Sequence, residues 1–340
     1  MAKLAPEIVE AIVLEHGRHA FLERLSDPRW FQAFGCVLGF DWHSSGVTTT
    51  VCGALKEGLA PRAADLGLYV AGGKGKASRA TPNELQAIGA TLGMDGDRLA
   101  YNSRMAAKVD SAAVQDGFGI YHHSFFLSSD GEWAVVQQGM REGDGTARRY
   151  HWLGSRVSDF VNEPHAAIAS EAIASEATEQ TVLNLVASES ANSRAASAEF
   201  ARLEPRLVDR EIARVITLAL PDRHWVDIEK DINPAHLRKV LLSTYEANPR
   251  NFEEMLAVPG VGAKAVRALA MVAEVVYGAP ASMKDPARFS FAHGGKDGYP
   301  YPVNRDVYDH SVEWLREAVG KAKIGRNEQM HALKRLSDWR

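Results

Sequence analysis

The stretch AVPGVGAKAVRALAMVAEVVYG, residues 257–278, predicts a tight turn followed directly by an amphipathic helix. Gly260 and Gly262 lie two residues apart, and because glycine has no Cβ it can adopt the positive φ angles that such a turn requires. Helical spacing then places apolar residues on one face, and Gly278 followed by Pro280 predicts the end of the helix. The first N–H groups of a helix have no partner within it and attract anions. The stretch therefore predicts a binding site for phosphate.

The residues before the turn, NPRNFEEMLAV (248–258), predict a short helix, so the turn lies between two helices. VPGVGAK resembles the hairpin of the helix–hairpin–helix family, in which backbone amides hold DNA phosphates without reading the base sequence. Such contacts need few basic side chains, which suits a chain of net charge −4. The residues that the resemblance implies at the DNA are Val258, Gly260, Val261, Gly262 and Lys264. A turn between two helices that binds no ligand is the alternative.

The composition limits the remaining possibilities. A chain of 340 residues with 46% hydrophobic content is long enough for two domains. The net charge and a pI near 6.3 argue against a protein that coats nucleic acid by general basicity. The two cysteines, Cys36 and Cys52, are too few for a disulfide framework, a four-cysteine iron–sulfur cluster or a cysteine zinc site. Because the sequence shows no signal peptide and no apolar run of about 18 residues, we expect a cytoplasmic protein without membrane contact.

Two regions differ in their sequence patterns. Residues 1–165 mix helix and strand signals. One helix is predicted over about 5–25, and a second follows HSSGVTTT and ends near Gly58. A third, of about ten residues, begins at the capping box TPNE (81–84), and a fourth covers DRLAYNSRMAAKVDSAAVQ (97–115). The predicted strands are GIYHHSFFLS (119–128), EWAVVQQGM (132–140) and ARRYHWL (147–153). Residues 166–198, rich in Ala, Ser and Glu, predict a helical linker, and the pattern after 198 is helical. The expected fold is α+β, with an N-terminal mixed α/β domain over 1–165, the linker, and an all-α helix–hairpin–helix domain over 199–340.

The second half of the chain, about residues 200–325, also resembles the endonuclease III superfamily of DNA glycosylases. Members carry a lysine two residues after the second hairpin glycine, where this chain has Lys264. PVNRDV (302–307) resembles the later segment that opens the next helix, with Asn304 at the position of an aspartate. The nearest acids in the sequence that can replace that aspartate are Asp297 and Asp306. The resemblance implies a DNA glycosylase or abasic-site lyase that lacks the iron–sulfur cluster of some relatives.

In such an enzyme the lysine amine attacks C1′ of the sugar and displaces the base, and the sugar ring then opens to give a Schiff base, which permits strand cleavage by β-elimination. The amine must be neutral to attack, so Lys264 requires burial or a cationic neighbour such as Arg267. A carboxylate stabilises the positive charge that develops at the sugar, and Asn304 keeps the shape of an aspartate without its charge. Three non-catalytic roles remain open: Lys264 as a phosphate contact, Asn304 as a helix N-cap and Asp306 as a partner of the helix dipole.

Two glycine-rich segments predict further contacts. SFAHGGKDGYPYP (290–302) offers Lys296 to a phosphate and tyrosines to an extruded base, unless it is an ordinary loop. GGKGKAS (72–78) lacks the pattern of a nucleotide-binding loop. Its lysines, Lys74 and Lys76, are therefore expected either to contact a nucleic-acid backbone or to be simply solvated.

A second candidate site lies in the N-terminal region. The helix YNSRMAAKVDSAAVQD (101–116) and the strand VVQQGM (135–140) both carry polar residues that can line a cleft. The residues of this predicted cleft are Asn102, Arg104, Lys108, Asp110, His122, His123 and Gln137. Gln137 is followed by Gln138 and Gly139, so the Glu-x-Lys or Gln-x-Lys pattern of a restriction-type nuclease is not met.

Metal binding stays open in the same region. His122 and His123 point to opposite faces of a strand, so they are not expected to bind one metal together. One of them can still form a metal site with other residues, which are His43, His151, His165, Asp110 and Asp116. Scattered core and surface histidines are the alternative. A divalent metal is expected only if the protein is a nuclease, and no other cofactor is indicated.

Three function classes follow from these patterns. The first is a DNA repair enzyme of the glycosylase or lyase type, the second a nuclease with its active site in residues 40–165, and the third a non-catalytic DNA-binding protein. The expected partner in each case is double-stranded or damaged DNA. The whole chain also resembles an uncharacterised prokaryotic family, number 763 among the domains of unknown function, and that resemblance implies no activity.

Overall fold

The computed structural model describes residues 1–40, 46–171, 182–204, 206–207, 210, 234–290 and 305–337, apart from the side chains of 234–237, 290 and 305–311. Within these ranges the protein is α+β, which confirms the predicted fold class. Over the same ranges no helix is both long enough and apolar enough to cross a membrane.

A six-stranded sheet in the order β1-β3-β4-β5-β6-β8 lies at the centre of the fold. Its strands are β1 Leu68–Lys74, β3 Gly119–Ser128, β4 Trp133–Met140, β5 Ala147–Leu153, β6 Ala167–Ser170 and β8 Phe289–Ser290, whereas β2 Val114–Gln115 and β7 Leu183–Asn184 form a separate pair. Neighbouring strands of the sheet are antiparallel except β6 and β8. The three strands predicted from alternating hydrophobicity, β3, β4 and β5, are confirmed. Their register pairs His123 with Gln137 and Gln137 with Tyr150, so these three residues lie side by side.

The α-helices of the described ranges are, in chain order, α1 Leu4–Leu25, α2 Pro28–Val37, α3 Val47–Leu59, α4 Ala63–Leu66, α5 Lys76–Leu92, α6 Gly96–Lys108, α7 Ala191–Phe200, α8 Pro234–Ala247, α9 Phe252–Ala257, α10 Ala263–Tyr277, α11 Arg305–Lys321 and α12 Arg326–Ser337. The predicted helices over 5–25 and up to Gly58 are confirmed as α1 and α3. The predicted start at the capping box is wrong, because α5 begins directly after the turn at Gly75 (φ 61°) and Pro82 lies inside the helix. α6 also ends earlier than predicted, and residues 109–113 form a π-helical turn.

Hydrophobic residues pack on both faces of the sheet. One face, which carries Phe126 and Val136, packs against α1, α2 and α3, and α11 and α12 pack on these helices. The other face, which carries Phe125 and Val135, packs against α5 and α6, and α9 packs on α6. The sheet therefore lies between two sets of helices, with the hairpin of α9 and α10 on the α6 side.

This packing corrects the predicted domain organisation. Residues 166–198 do not form a helical linker where the structure describes them, because β6 and β7 are strands and α7 begins only at Ala191. Residues 199–340 are not all-α, since β8 pairs with β6, and α11 packs on α1 and α2. The physical reason is that short strands of small residues, such as AIAS in β6, resemble an alanine-rich helix in sequence. One hydrophobic core crosses the predicted boundary and joins Phe125 and Trp152 to Val258 and Val266.

Candidate functional site

The two helices predicted on either side of the glycine turn at 257–262 are present. α9 begins after Asn251, whose side chain accepts a hydrogen bond from the Glu254 N–H at 2.8 Å. The chain then turns at Gly260, where φ is 89°, a conformation that glycine adopts without strain. α10 begins after Gly262. We call the segment from Leu256 to Lys264 the hairpin.

The hairpin presents a row of backbone N–H groups. The Val261 N–H donates to the Val258 carbonyl at 3.2 Å, and the Val266 N–H donates to the Gly262 carbonyl at 3.0 Å. Four other N–H groups within the hairpin have no acceptor among the described residues, those of Gly260, Gly262, Ala263 and Lys264. The Lys264 side chain is exposed beside them. Helix N-terminal amides next to an ammonium group can hold an anion.

Lys108, at the end of α6, contacts the hairpin instead of the cleft predicted for it. Its Nζ donates to three carbonyl oxygens, those of Leu256 at 2.9 Å, Val258 at 3.1 Å and Val261 at 2.7 Å. Burial lowers the pKa of Lys108, and the three carbonyl dipoles stabilise its charged form. Lys108 is therefore part of the hairpin site.

Gln115, in β2, makes a second link to the hairpin. Its Nε2 donates to the Ala263 carbonyl at 2.8 Å, and its Oε1 accepts a hydrogen bond from Arg267 Nε at 2.7 Å. Arg267, expected as a cationic neighbour of Lys264, is thus held by Gln115. Sequence reasoning missed Gln115, because a glutamine after a helix gives no signal of a partner 148 residues away.

A groove of about 490 Å³ lies beside the hairpin. Its walls include Ala263 and Arg267 from α10 and Arg141 from the loop after β4. The Arg141 guanidinium lies 4.4 Å from the centre of the Phe118 ring and pairs with Asp144 at 3.3 Å. Two arginines therefore line the groove beside the unpaired amides.

A cluster of buried polar side chains lies on the sheet face that α6 covers. Asp110, in the π-helical turn, accepts hydrogen bonds from three groups: Gln137 Nε2, Trp152 Nε1 and His165 Nε2. Gln137 Oε1 is then left to accept from His123 Nδ1 at 2.8 Å, and His123 Nε2 accepts from the Ser103 hydroxyl at 2.8 Å. Burial lowers the pKa of His123, which favours this neutral ring. We call these residues the Asp110 cluster.

His165 is the member of the Asp110 cluster that lines an open cleft. Since Asp110 accepts from its Nε2, the neutral ring has a free electron pair on Nδ1. The cleft has a volume of about 270 Å³, and its polar lining includes Glu163, Ser188, Glu189, Lys284 and Arg288. A histidine oriented by a buried carboxylate at the wall of a cleft has the arrangement of a general base.

Among the described residues, the histidines and carboxylates predicted as possible metal ligands lie in different parts of the fold. His165 and Asp110 are in direct hydrogen-bond contact, and His43 lies outside the described residues. His151 lies on the opposite face of β5 from Tyr150 and accepts a hydrogen bond from Arg149 Nε at 2.8 Å. In the described part of the chain, no three His, Cys, Asp or Glu side chains are grouped to hold a metal ion.

The prediction that the seven polar residues of the N-terminal region line one cleft is wrong. Asp110, His123 and Gln137 do come together, but His122 lies on the other sheet face, where its Nε2 is 3.0 Å from Ser124 Oγ. Arg104 is exposed, and Asn102 is half-buried on another turn of α6. The reason is helical geometry, because residues at these spacings on α6 and the π-helical turn point in several directions.

Lys74 and Lys76 lie near the edge strand β1, and both side chains are exposed. Lys74 Nζ is 5.6 Å from the centre of the Tyr121 ring. Burial, together with His123 and Lys74, lowers the pKa of His122 to about 4. The two lysines remain candidates for contact with a nucleic-acid backbone.

Arg148 links the segment that follows α10 to the sheet. Its guanidinium donates to Asp116 Oδ2 at 2.9 Å and to Asp285 Oδ2 at 2.7 Å, and the Tyr150 hydroxyl also donates to Asp116 at 2.7 Å. Burial raises the pKa of Asp116, whereas Arg148 acts in the opposite direction. Sequence reasoning missed this network because Arg148 stands within an otherwise ordinary strand pattern.

The glycosylase resemblance pairs Lys264 with Asn304 or with a nearby acid. Lys296, Asp297 and Asn304 lie outside the described residues. Asp306 lies in α11, and its side chain is outside the description. The predicted pair of a lysine and a carboxylate therefore stays a prediction.

The fold and the site define an α+β protein whose hairpin carries unpaired amides and is held by Lys108 and Gln115. The chain belongs to the family described as protein of unknown function (DUF763), whose model matches residues 1–303. No curated protein and no solved structure matches the chain.

Proposed function

We propose that this protein binds the phosphate backbone of double-stranded or damaged DNA through the hairpin and acts as a DNA repair enzyme of the glycosylase or abasic-site lyase type. The observation that carries the proposal is the four hairpin N–H groups without a described acceptor, one at Gly260 in the turn and three at the start of α10, beside the exposed Lys264 side chain. A phosphate oxygen is an acceptor of the kind that these groups lack. We expect the protein to act in the cytoplasm.

The hairpin favours backbone binding over base recognition. The 15 residues of α10 add the positive end of a helix dipole to the same site. Arg141 and Arg267 line the adjoining groove and can follow the strand. Contacts of this kind carry no sequence information, so unrelated duplexes should bind with similar affinity, and that affinity should fall as salt rises.

The replacement of Gly262 by valine tests this binding. A Cβ at Gly262 meets no atom within 4 Å, and its φ of −128° suits any residue, so the hairpin keeps its fold. The added side chain would nevertheless block a phosphate that approaches the amides. We expect the Kd for a duplex, measured by fluorescence anisotropy, to rise at least about tenfold, or about 1.4 kcal/mol.

Gly53→Val is the matched control, because Gly53 also has open space around it and lies on α3, across the sheet. Its Kd should equal that of the parent protein. A parent protein that fails to bind DNA, or a Gly262→Val variant that binds as tightly as the parent, would refute the proposal.

The chemical step assigned to Lys264 needs a further condition. The side chain is exposed in the protein alone, so the bound DNA itself must exclude water from the amine before it attacks C1′. Borohydride trapping on an abasic duplex tests this step, because it captures the Schiff base. We expect a trapped complex with the parent protein and none with Lys264→Ala; Lys3→Ala, which removes another exposed lysine, is the control.

A second candidate function is a nuclease whose active site lies in the N-terminal region, with the hairpin holding DNA. The specific observation in its favour is His165, which lines an open cleft and whose Nε2 donates to the buried Asp110. A general base at this position can take the proton of an attacking water. Strand cleavage that His165→Ala abolishes and Lys264→Ala preserves would establish this alternative, and a requirement for a divalent metal would define its cofactor. DNA binding without either activity would leave a non-catalytic DNA-binding protein.

A further inference from the structure

Side chains of the N-terminal region hold the carbonyl groups of the hairpin. Lys108 Nζ donates to the carbonyls of Leu256, Val258 and Val261 at 2.9, 3.1 and 2.7 Å. Gln115 Nε2 donates to the carbonyl of Ala263 at 2.8 Å. These partners are 148 to 153 residues apart in the sequence, so the hairpin is completed by a distant part of the chain.

Peptide geometry links these carbonyls to the unpaired amides. In a planar trans peptide the C=O and N–H bonds point in opposite directions, and the described chain has no cis peptide bond. Because Lys108 holds the Val261 carbonyl, the Gly262 N–H of the same peptide points away from Lys108. The Gln115 contact directs the Lys264 N–H away from Gln115 in the same way. Both N–H groups belong to the four without a described acceptor.

We infer that Lys108 is a positioning residue of the DNA-binding site, which holds the hairpin carbonyls inward so that the Gly262 amide faces the phosphate. This inference rests on the proposed function of the hairpin. Gln115 holds the Ala263 carbonyl in the same manner and so directs the Lys264 amide. The N-terminal region thus has a direct part in DNA binding without touching the DNA at these two residues.

Lys108 has no donor left for a phosphate. An ammonium group carries three N–H bonds, and three carbonyl oxygens accept them. Its charge still acts on the site, because a cation at a carbonyl oxygen polarises the peptide and strengthens the opposite N–H as a donor. The exposed Lys264, by contrast, is available to pair with a phosphate directly.

The salt dependence of DNA affinity distinguishes these two roles. We expect Lys264→Ala to reduce the slope of log K against log salt by about 0.9, since it removes one phosphate contact. We expect Lys108→Ala to raise the Kd at least about tenfold with the slope unchanged. Lys3→Ala removes an exposed lysine at the start of α1, on the other side of the sheet, and should behave as the parent protein.

Chemical rescue distinguishes positioning from a merely structural role. Lys108→Ala leaves space for propylammonium, whose N–H groups can occupy the vacated carbonyls. Tetramethylammonium at the same concentration supplies the charge without donors. We expect propylammonium, and not tetramethylammonium, to restore the affinity of Lys108→Ala, and neither to restore Lys108→Met, whose side chain fills the space.

Three results would overturn the inference: an unchanged Kd for Lys108→Ala, a salt slope reduced as much as in Lys264→Ala, or an affinity loss that propylammonium does not restore. If Lys108→Ala does not fold, Gln115→Ala provides the test, with a Kd raised about threefold at an unchanged slope. An unchanged Kd for that variant would likewise overturn the inference. Failure of the proposed function is distinct, because the parent protein itself would then not bind DNA.

Discussion

The hairpin and the Asp110 cluster arrange their polar groups in opposite ways. At the hairpin, side chains of the N-terminal region satisfy the carbonyls, and the amides opposite them have no described acceptor. In the Asp110 cluster, side chains from separate elements satisfy one another inside the protein, and the capacity left over is at His165. Both candidate sites therefore contain polar groups without a described partner. At the hairpin these are backbone N–H groups, and in the Asp110 cluster the group is the second ring nitrogen of His165.

One short segment serves both regions. Lys108 ends α6 and reaches the hairpin, whereas Asp110, two residues later in the π-helical turn, reaches the sheet. π-Helical turns occur frequently at functional sites, where they redirect neighbouring side chains. The end of α6 and the π-helical turn thus connect the hairpin with the Asp110 cluster. Substitutions in the two regions should nevertheless have different effects.

The largest effect is expected from Asp110→Ala. The substitution leaves the N–H groups of Gln137, Trp152 and His165 buried without their acceptor. We expect the free energy of unfolding, measured by urea titration, to fall by about 3–5 kcal/mol. Glu142→Ala, which removes an exposed acid, is the control and should change stability by less than about 0.5 kcal/mol. A stability equal to that of the parent would show that the cluster does not hold the fold.

The pH dependence of the free energy of unfolding should come from the sheet and hardly at all from the hairpin. His122 has a pKa of about 4 in the folded protein and about 6.5 when unfolded. The unfolded chain therefore binds more protons between these values, so stability falls as the pH falls from 6.5 towards 4. We expect a loss of about 1.4 kcal/mol per pH unit from this residue, or about 3 kcal/mol in all.

Urea titrations at several pH values measure this slope, and His122→Gln should reduce it. An equal slope in parent and variant would contradict the assignment of the titration to His122. The hairpin sequence VPGVGAK contains no histidine, so Gly262→Val should leave the slope unchanged.

A smaller effect is expected from Asn304→Asp. If the glycosylase resemblance is correct, the new carboxylate stabilises the positive charge at the sugar in the transition state. We expect base excision or abasic-site cleavage to rise at least about tenfold, which is about 1.4 kcal/mol of barrier, without tighter DNA binding. Single-turnover cleavage of a panel of damaged and abasic duplexes measures this. An inert variant on the whole panel would move the search for chemistry to His165.

Local patterns predicted the parts of the fold that depend on neighbouring residues. The alternation in GIYHHSFFLS and ARRYHWL indicated β3 and β5, and the two glycines of VPGVGAK indicated the turn before α10. These features follow from backbone geometry and from one buried face, which are both visible in a short window of sequence. The positive φ of Gly260 belongs to the same class, whereas the positive φ predicted for Gly262 is wrong, because its φ is −128°.

Contacts between distant residues were not predictable in the same way. β6 and β8 are short strands, and their pairing joins positions more than a hundred residues apart. The contact of Lys108 with the hairpin depends on the packing of α6 against α9, which no local pattern records. The sequence likewise did not reveal that Asp110 and His165 form a hydrogen-bonded pair, because the two residues are 55 positions apart. Their residue types alone indicated possible metal ligands.

Hydrogen–deuterium exchange with and without duplex DNA tests the central claim most directly, because it reads the backbone amides themselves. We predict that saturating DNA slows exchange in the peptide covering Gly260 to Lys264, and that Gly262→Val removes this protection. Exchange around Trp152, in the buried cluster, should not change. DNA binding that leaves exchange at the hairpin unaltered would contradict the account.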